Sequence, residues 1–266
     1  MSDIKIDLGV AEVIEKVADT EIGAQVDKTG ALLIRSIRAA LSPLEKWVLQ
    51  REFNLEETKK LLELKLQNVA PENIITPPSY IGVPALQAIS YCVDDEQLRN
   101  MYAELLANAM NSEKVDTVHP TFVEIIKQLS PFDALVFKEL IKTLVQPCIS
   151  IKYKNIRNQS SYPVHDIIAF KNTKDFPLVK TQISLENLER LRLIEINRTS
   201  KYNDEEKYDE LKESVSEIVK EFIRDNNENF EQNDYQIIYG EFVILIRGFG
   251  QMFARACLGE NFENIV

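Results

Sequence analysis

The sequence contains few of the residues from which catalytic and metal sites are usually built. Among its 266 residues there are only two histidines, His119 and His165. A paired-histidine metal motif and most histidine-based acid–base sites therefore cannot be assembled from it. The sequence also lacks a phosphate-binding P-loop, a GxSxG nucleophile turn and a GxGxxG dinucleotide motif. It predicts no catalytic, cofactor-binding or metal-binding residue.

Cysteine is scarce as well. The three cysteines, Cys92, Cys148 and Cys257, are widely spaced in apolar surroundings and form no CxxC pair. This pattern indicates buried, reduced thiols in a cytoplasmic protein instead of a disulfide framework. The first residues, MSDIKIDLGVAEV, have neither the basic nor the apolar region of a secretory signal, so a cytoplasmic location is expected.

Long hydrophobic runs of the membrane-spanning kind are also lacking. The longest charge-free stretch, residues 73–93, is interrupted by Pro77, Pro78 and Pro84 and by several polar side chains. Prolines break a helix, and polar groups are poorly placed in lipid. We interpret this stretch as an irregular loop in a protein core, followed by a buried helix that Pro84 opens.

The first 129 residues show helical patterns and no strand pattern. Asp94 and Asp95 are placed to cap a helix whose apolar residues recur at helical spacing. His119 precedes the proline that opens a further helix, so we expect it to be a capping or turn residue. The patterns predict an N-terminal helical domain over residues 1–129, with these side chains buried: Leu98, Met101, Tyr102, Leu105, Ile125 and Leu129.

The character of the sequence changes at Ser130, where SPFD has the form of a helix capping box. Residues 149–156 then alternate like a half-buried strand, and a short helix is expected over residues 164–170. A helix capped by Ser184 precedes two strand-like segments, LIEI and FVILIR. The predicted fold class is mainly α: an N-terminal helical bundle followed by a winged-helix-like α+β domain over residues 130–266, with Leu188 and Phe253 buried.

An acidic insertion separates the two wing strands at about residues 203–233. Residues 204–231 hold eleven acidic and four basic side chains, with apolar residues at helical spacing. The favoured interpretation is an amphipathic helix docked on the domain with its acidic face in solvent. A regulatory or partner-binding arm is the alternative.

One basic region contrasts with the formal net charge of −11. Residues 138–180 carry eight basic and three acidic side chains, with aromatic residues between them. Such a mixture can bind a nucleic-acid backbone, although pairing with the acidic insertion is the simpler interpretation. The residues that separate Arg157 from His165 are too many for an arginine–histidine ribonuclease motif. The candidate basic interaction surface consists of Lys152, Lys154, Arg157, Lys171 and Lys174.

A second candidate segment lies near the N-terminus. Residues 24–50 have four basic and two acidic side chains among many apolar ones. Once released from a bundle, such a segment can lie on a membrane surface, but its uncharged runs are too short to span a bilayer. Two bundle helices with buried apolar faces are the favoured interpretation. The candidate membrane or partner residues are Leu33, Arg35, Ile37, Arg38 and Trp47.

Four segments resemble a known bacterial family. They are PALQAISYCVDDEQLRNMYAELLANAM, HPTFVEIIKQLSPFDA, SLENLERLRLIEI and the closing FGQMFARACLG. In their order and spacing they are similar to the abortive infection alpha (Abi-alpha) family, and the resemblance covers most of the chain beyond about residue 50. Family members usually have threonine and proline before the terminal FG, where this chain has Arg247 and Gly248.

The resemblance implies a role in defence against phage by abortive infection, in which an infected cell stops growing or dies before the phage matures. It brings no catalytic residues with it. We therefore expect the protein to act through a protein partner, phage-derived or otherwise, or through self-association, with nucleic acid and membrane surfaces as less favoured partners. The alternatives are a nuclease-like toxin enzyme with a spatially assembled site and a membrane-surface effector.

Overall fold

The computed structural model describes residues 28–45, 52–89, 95–171, 173–225 and 235–259. The chain divides into two compact units, Met1–Lys127 and Gln128–Val266. The described part of the first unit is built from helices. The second unit combines helices with one antiparallel sheet.

The first unit contains five α-helices in its described residues, with short 3-10 turns at Pro71–Asn73 and Val115–Thr117. As predicted, the Asp95 carboxylate caps the fourth helix and accepts a hydrogen bond from the Leu98 amide at 2.8 Å. The helices are α1 (Lys28–Glu45), α2 (Glu52–Leu66), α3 (Ser79–Ile89), α4 (Glu96–Ala109) and α5 (Thr121–Lys127).

Helix α4 is the centre of this unit, because it packs against α2, α3 and α5. Most of its side chains are buried, and Tyr102 and Leu105 are completely enclosed. The Lys65 ammonium donates to the Glu104 carboxylate at 2.7 Å and ties α2 to α4 at the edge of the core. The apolar cluster that joins α1 to the other helices consists of Ile37, Leu62, Leu66, Leu86, Leu106, Ala107 and Met110.

The start of α3 differs from the prediction. The helix begins at Ser79 and contains Pro84 in its interior, so Pro84 does not open it. The amides of Ile81 and Gly82 both donate to the carbonyl of Pro78, at 2.9 and 2.8 Å, and form the first turn. Proline fixes its own backbone in a helical range, and one missing N–H is tolerated when tertiary packing holds the helix.

The second unit begins with the predicted capping box. The Ser130 hydroxyl accepts from the Asp133 amide at 3.1 Å, and the Asp133 carboxylate accepts from the Ser130 amide at 2.7 Å. The elements that follow are α6 (Pro131–Leu140), β1 (Val145–Asn155), β2 (Ser161–Ile168), α7 (Leu178–Arg190), β3 (Glu195–Asn197), α8 (Glu205–Asp225), β4 (Tyr235–Leu245) and α9 (Gly248–Leu258).

The four strands form one antiparallel sheet in the order β2-β1-β4-β3. Strand β1 pairs with β4 along its whole length, from Val145 opposite Leu245 to Asn155 opposite Tyr235. The β1–β2 ladder is irregular between Ile149 and Lys152, and irregularities of this kind increase the twist and bend of a strand. Strand β3 is short and pairs only with residues 243–245.

The predicted fold class, mainly α with a winged-helix-like C-terminal domain, was wrong. Over the described residues the protein is a mixed α+β structure, and residues 161–168 form strand β2 where a helix was expected over residues 164–170. Strand β1 also begins at Val145, so Pro147 lies inside it. The hairpin of two long strands replaces a helix, because β-branched residues such as Val164 and Ile167 favour a half-buried strand.

Helix α8 lies on one face of the sheet, over β1 and β2. Its buried side chains pack on Ile149, Ile151 and Tyr153 of β1. Each fully buried aliphatic side chain contributes about 1.5–3 kcal/mol, so this contact is a major part of the core of the unit. The buried residues of α8 are Tyr208, Leu211, Val215, Val219 and Ile223.

Eight side chains were predicted to be buried, and all of them are. Their exposed fractions range from 0% to 8%. Helical spacing of apolar residues therefore identified the core correctly in both units. The confirmed residues are Leu98, Met101, Tyr102, Leu105, Ile125, Leu129, Leu188 and Phe253.

Candidate interaction surface

The two faces of β1 have different neighbours. Because side chains alternate along a strand, Ile149, Ile151 and Tyr153 point toward α8, while Ser150, Lys152 and Lys154 point away from it. Lys152 is exposed and Lys154 is half-buried. The face that points away from α8 is called the open face below. On β4 it carries Gln236, Ile238 and Gly240, which pair with Lys154, Lys152 and Ser150.

Arg198 crosses this open face from the loop after β3. Its guanidinium lies over the Phe242 ring of β4, 4.8 Å from the ring centroid. Its Nη1 donates at 3.4 Å to the Asp166 carbonyl of β2, the strand at the opposite edge of the sheet. With Lys152 and Lys154 it places three cations on the open face. In the described part of the chain none of the three forms an ion pair.

Small residues lie between these cations. Gly240 of β4 is opposite Ser150 of β1, and a Cβ atom on Gly240 would be 2.5 Å from the Ser150 hydroxyl oxygen. Any larger residue at 240 would need that hydroxyl to move. Between Arg198 on one side and Lys152 on the other, no large side chain therefore rises above the backbone of these two strands.

The opposite face is acidic and internally paired. Lys212 of α8 forms ion pairs with Asp209 and Glu241, both at 2.8 Å, and Lys201 reaches the same Glu241 at 2.8 Å. Hydrogen bonds from Lys201 and Lys212 lower the pKa of Glu241. The hydrogen bonds that Lys212 donates to Asp209 and Glu241 raise the pKa of Lys212. The basic side chains on this side are thus neutralised by their own neighbours.

The structure separates the residues of the predicted basic surface. Lys152 and Lys154 share the open face, but Lys171 forms an ion pair with Glu210 of α8 at 3.1 Å. Arg157 lies in the turn between β1 and β2, and Lys174 is exposed in the loop before α7. Pairing with the acidic insertion, the simpler interpretation of the sequence, therefore applies to Lys171.

A pocket of about 450 Å³ lies between the start of α8 and the ends of β1 and β2. Its charged lining mixes both signs, with Lys171 and Lys207 beside Asp204, Glu206 and Glu210. Two positive and three negative side chains line it, and the Lys171–Glu210 pair neutralises one of each, so only a small excess of negative charge remains to select a ligand. It is a weaker candidate than the open face.

The predicted membrane or partner segment falls on α1. Ile37 is 1% exposed and belongs to the apolar cluster of the first unit, and Leu33 packs against that cluster. Arg35 is exposed and Arg38 is half-buried, while Trp47 lies outside the described residues. Among the described helices, none is long and apolar enough to cross a membrane.

Both histidines and the buried Cys148 have surroundings that indicate structural roles. The His119 Nδ1 accepts from the Thr121 amide at 3.2 Å, which confirms its predicted capping role. The His165 Nδ1 lies 3.1 Å from the Gln182 Oε1. Burial raises the pKa of the Cys148 thiol far above its usual range, and Arg198 opposes this only in part. Over the residues that the structure describes, no group of three or more His, Cys, Asp or Glu side chains could hold a metal ion.

Sequence reasoning missed Arg198 and the partition of cations between the two faces. Arg198 lies beyond residues 138–180, the window in which the basic charges were counted. The alternation in ISIKYKNI did contain the signal for Lys152 and Lys154, since both occupy the polar phase of a strand. Finding Arg198 needed the strand order, which brings the end of β3 next to β4.

A comparison of the sequence with protein families finds a match that covers most of the chain. The family is described as abortive infection alpha, and its sequence model matches residues 50–257. No curated protein and no solved structure matches the chain.

Proposed function

This chain belongs to the abortive infection alpha family, and we propose that it acts in abortive infection by binding an acidic segment of a protein partner on its open face. The observation that carries the proposal is the set of three cations, Lys152, Lys154 and Arg198, on the side of the sheet away from acidic α8. Their charges are available to a partner, because the acidic side chains of α8 are on the other face.

The spacing of the cations suits an extended polypeptide. Lys152 and Lys154 are two residues apart on one strand, which separates them by about 6.6–6.8 Å along it. An extended partner segment repeats its own side chains at the same interval. Carboxylates at alternate positions of that segment would therefore meet the two lysines in turn.

Charge and surface chemistry favour a protein over a nucleic acid. Sites for single-stranded nucleic acid usually combine cations with aromatic side chains on which bases stack. The described strand residues of the open face beside Lys152 and Lys154 offer no aromatic ring: Ser150, Ser161, Pro163, Gln236, Ile238 and Gly240. The Phe242 ring farther along the face is buried beneath Arg198, so a base cannot stack on it. A formal net charge of −11 also repels a long polyanion more than it repels a short acidic segment.

The test is a binding titration with a labelled peptide that has glutamates at alternate positions. We expect binding that weakens with salt, and a loss of about tenfold or more in affinity for Lys152→Glu with Lys154→Glu. The matched control is Lys207→Glu with Lys220→Glu, which makes the same charge change on α8. Equal losses in both double variants would mean that only total charge matters, and this would overturn the proposal.

Two further experiments test whether the partner is a nucleic acid and whether the open face is needed in cells. A single-stranded RNA of equal charge that binds more tightly than the peptide would replace the protein partner with a nucleic acid. In cells, the chain should reduce phage plaque formation, and the Lys152→Glu, Lys154→Glu variant should lose that protection while remaining folded. Full protection by this folded variant would exclude the open face from the function.

A further inference from the structure

One edge of the sheet has no strand partner among the described residues. Strand β3 covers only residues 243–245 of β4, so residues 236–242 form an outer edge there. The Ile246 amide donates to the Leu144 carbonyl at 2.8 Å, which continues the β1–β4 ladder. The backbone N–H and C=O groups of successive residues point to opposite sides of a strand. The groups of even-numbered residues of β4 therefore bond to β1, and those of odd-numbered residues face outward.

Two other observations agree with this assignment. Pro147, which has no N–H, lies opposite the odd-numbered Val243 and so removes no bond from the β1–β4 ladder. On β3 the Ile196 amide donates to the Glu189 carboxylate at 3.0 Å, so it points away from β4. The backbone groups of Ile237 and Tyr239 therefore face outward, and they have no partner in the described part of the chain.

The opposite edge of the sheet is protected, whereas no described residue protects this one. Strand β2 contains Pro163, which cannot donate to an added strand, and its Asp166 amide is capped by the Gln182 side chain at 3.4 Å. The edge of β4 reads YQIIYG over residues 235–240, with neither proline nor charge. Natural sheets rarely leave such an edge bare.

We propose that the edge of β4 pairs antiparallel with the same edge of a second copy, forming a two-fold symmetric dimer. When two identical strands pair antiparallel, the residue on the two-fold axis faces its own counterpart, so a charge near the axis would meet a like charge and repel it. Residues 235–240 carry none. Charge is the reason for choosing a second copy as the occupant, because an uncharged edge avoids like-charge repulsion across the two-fold axis and offers a charged partner strand nothing to pair with.

The available length of the edge fixes the register. Pairing centred on Ile238 uses the uncharged residues 236–240 of both copies and leaves residues 243–245 with β3. It places Ile237 opposite the partner's Tyr239, an aliphatic–aromatic pair of the kind that stabilises sheets. Ile238, which is 38% exposed, then meets its own counterpart on the two-fold axis.

The dimer would join the two sheets into one of eight strands, with the symmetry axis perpendicular to it. Both open faces then lie on the same side, and both α8 helices lie on the other. Two acidic segments of one partner could therefore bind at once, with the gain in avidity that linked sites give. That consequence rests on the proposed function, whereas the dimer itself does not.

Sedimentation of the full chain over a wide range of protein concentration tests the interface. We expect a dimer for the natural sequence and a monomer for Ile238→Lys, which sets two like charges against each other on the axis. Ile183→Lys, at an equally apolar position of α7 that is 61% exposed, should remain dimeric. A natural chain that stays monomeric at every concentration would overturn the proposal, and so would a dimer that survives Ile238→Lys.

A cross-link tests the register even if Ile238→Lys fails to fold. Ile238 and its counterpart form a pair without mutual hydrogen bonds, in which Cα atoms are about 4.5 Å apart, within the range that a disulfide spans. Under oxidation Ile238→Cys should give a covalent dimer and Ile183→Cys should not. Equal cross-linking of both variants would contradict the register. Because Ile238→Cys leaves Lys152 and Lys154 in place, the peptide titration reports separately on the proposed function.

Discussion

Gly250 in α9 packs directly against the backbone carbonyl of Leu193, just before β3. A Cβ atom at position 250 would be 2.0 Å from the carbonyl oxygen and 3.0 Å from the carbonyl carbon of Leu193. The obstacle is backbone, so it cannot rotate away as a side chain could. This contact explains the glycine of the closing FG pair, since only glycine lets α9 approach the chain that leads into β3.

Gly250→Ala should therefore destabilise the protein by about 3 kcal/mol, because overpacking against rigid backbone forces α9 or β3 to shift. Gly248→Ala is the matched control in the same helix, since a Cβ there meets nothing within 4 Å. We expect this control to be neutral or to stabilise by up to about 1 kcal/mol, because alanine favours the helix. Chemical denaturation measures both, and equal effects would contradict the contact.

The ion pairs of Glu241 should make stability depend on pH. Lys201 and Lys212 hold the pKa of Glu241 below the ordinary value of 4.5. Its contribution is therefore fully present above about pH 4.5 and is lost as the pH falls through the lowered pKa of the folded state. At neutral pH, Glu241→Gln should cost about 1 kcal/mol after allowance for solvent screening.

Thermal melting of the two proteins from pH 7 down to pH 3 measures this difference. The melting temperatures should converge as the pH falls below 4.5, because protonated glutamate and glutamine then make similar contacts. Glu213→Gln is the control, since Glu213 is at an exposed position of α8 and forms no ion pair with any described residue. A difference that stays constant with pH would rule out the charge of Glu241 as its cause.

Docking of α8 should depend on its apolar stripe. Val215 is fully buried against the sheet, and Val215→Ala should cost about 2 kcal/mol through lost burial and the cavity left behind. Glu213→Ala, at an exposed position of the same helix, should change stability by less than about 0.5 kcal/mol. Denaturant unfolding followed by circular dichroism measures both. Equal costs would show that α8 is not held by this face.

Local signals in the sequence predicted the local structure well. The Ser130–Asp133 box and the Asp95 cap depend on residues three positions apart, and both form as predicted. Buried positions were also predicted correctly, because helical spacing alone decides which face of a helix is apolar. Interactions within one turn of helix are encoded by neighbouring residues, so they can be recognised without knowing the fold.

Elements that depend on distant partners were predicted less well. Residues 161–168 are a strand because β1 lies beside them, and Ser184 is buried inside α7 although its sequence looked like a cap. Arg247, just before α9, donates through its Nη2 to the Glu195 carboxylate of β3 at 3.0 Å. Such contacts join residues far apart in sequence, so no local sequence pattern predicts them. The open face was found only in part for the same reason.

The predicted membrane segment leads to a test that separates a core role from a surface role. Ile37 is enclosed in the apolar cluster of the first unit, whereas Leu32, on the same helix, is 55% exposed. A buried unpaired carboxylate is strongly disfavoured, so Ile37→Glu should cost more than about 3 kcal/mol. Leu32→Glu should leave stability nearly unchanged.

Binding of the natural chain and of Leu32→Glu to anionic liposomes completes this test. If α1 serves only as a core helix, the natural chain stays in solution, and Leu32→Glu protects cells from phage as well as the natural chain does. A membrane effector would instead bind the liposomes, and Leu32→Glu would weaken both binding and protection, because a charge on the apolar surface opposes insertion into the interface. We expect the first result, since Ile37 and Leu33 contribute their apolar side chains to the core of the first unit.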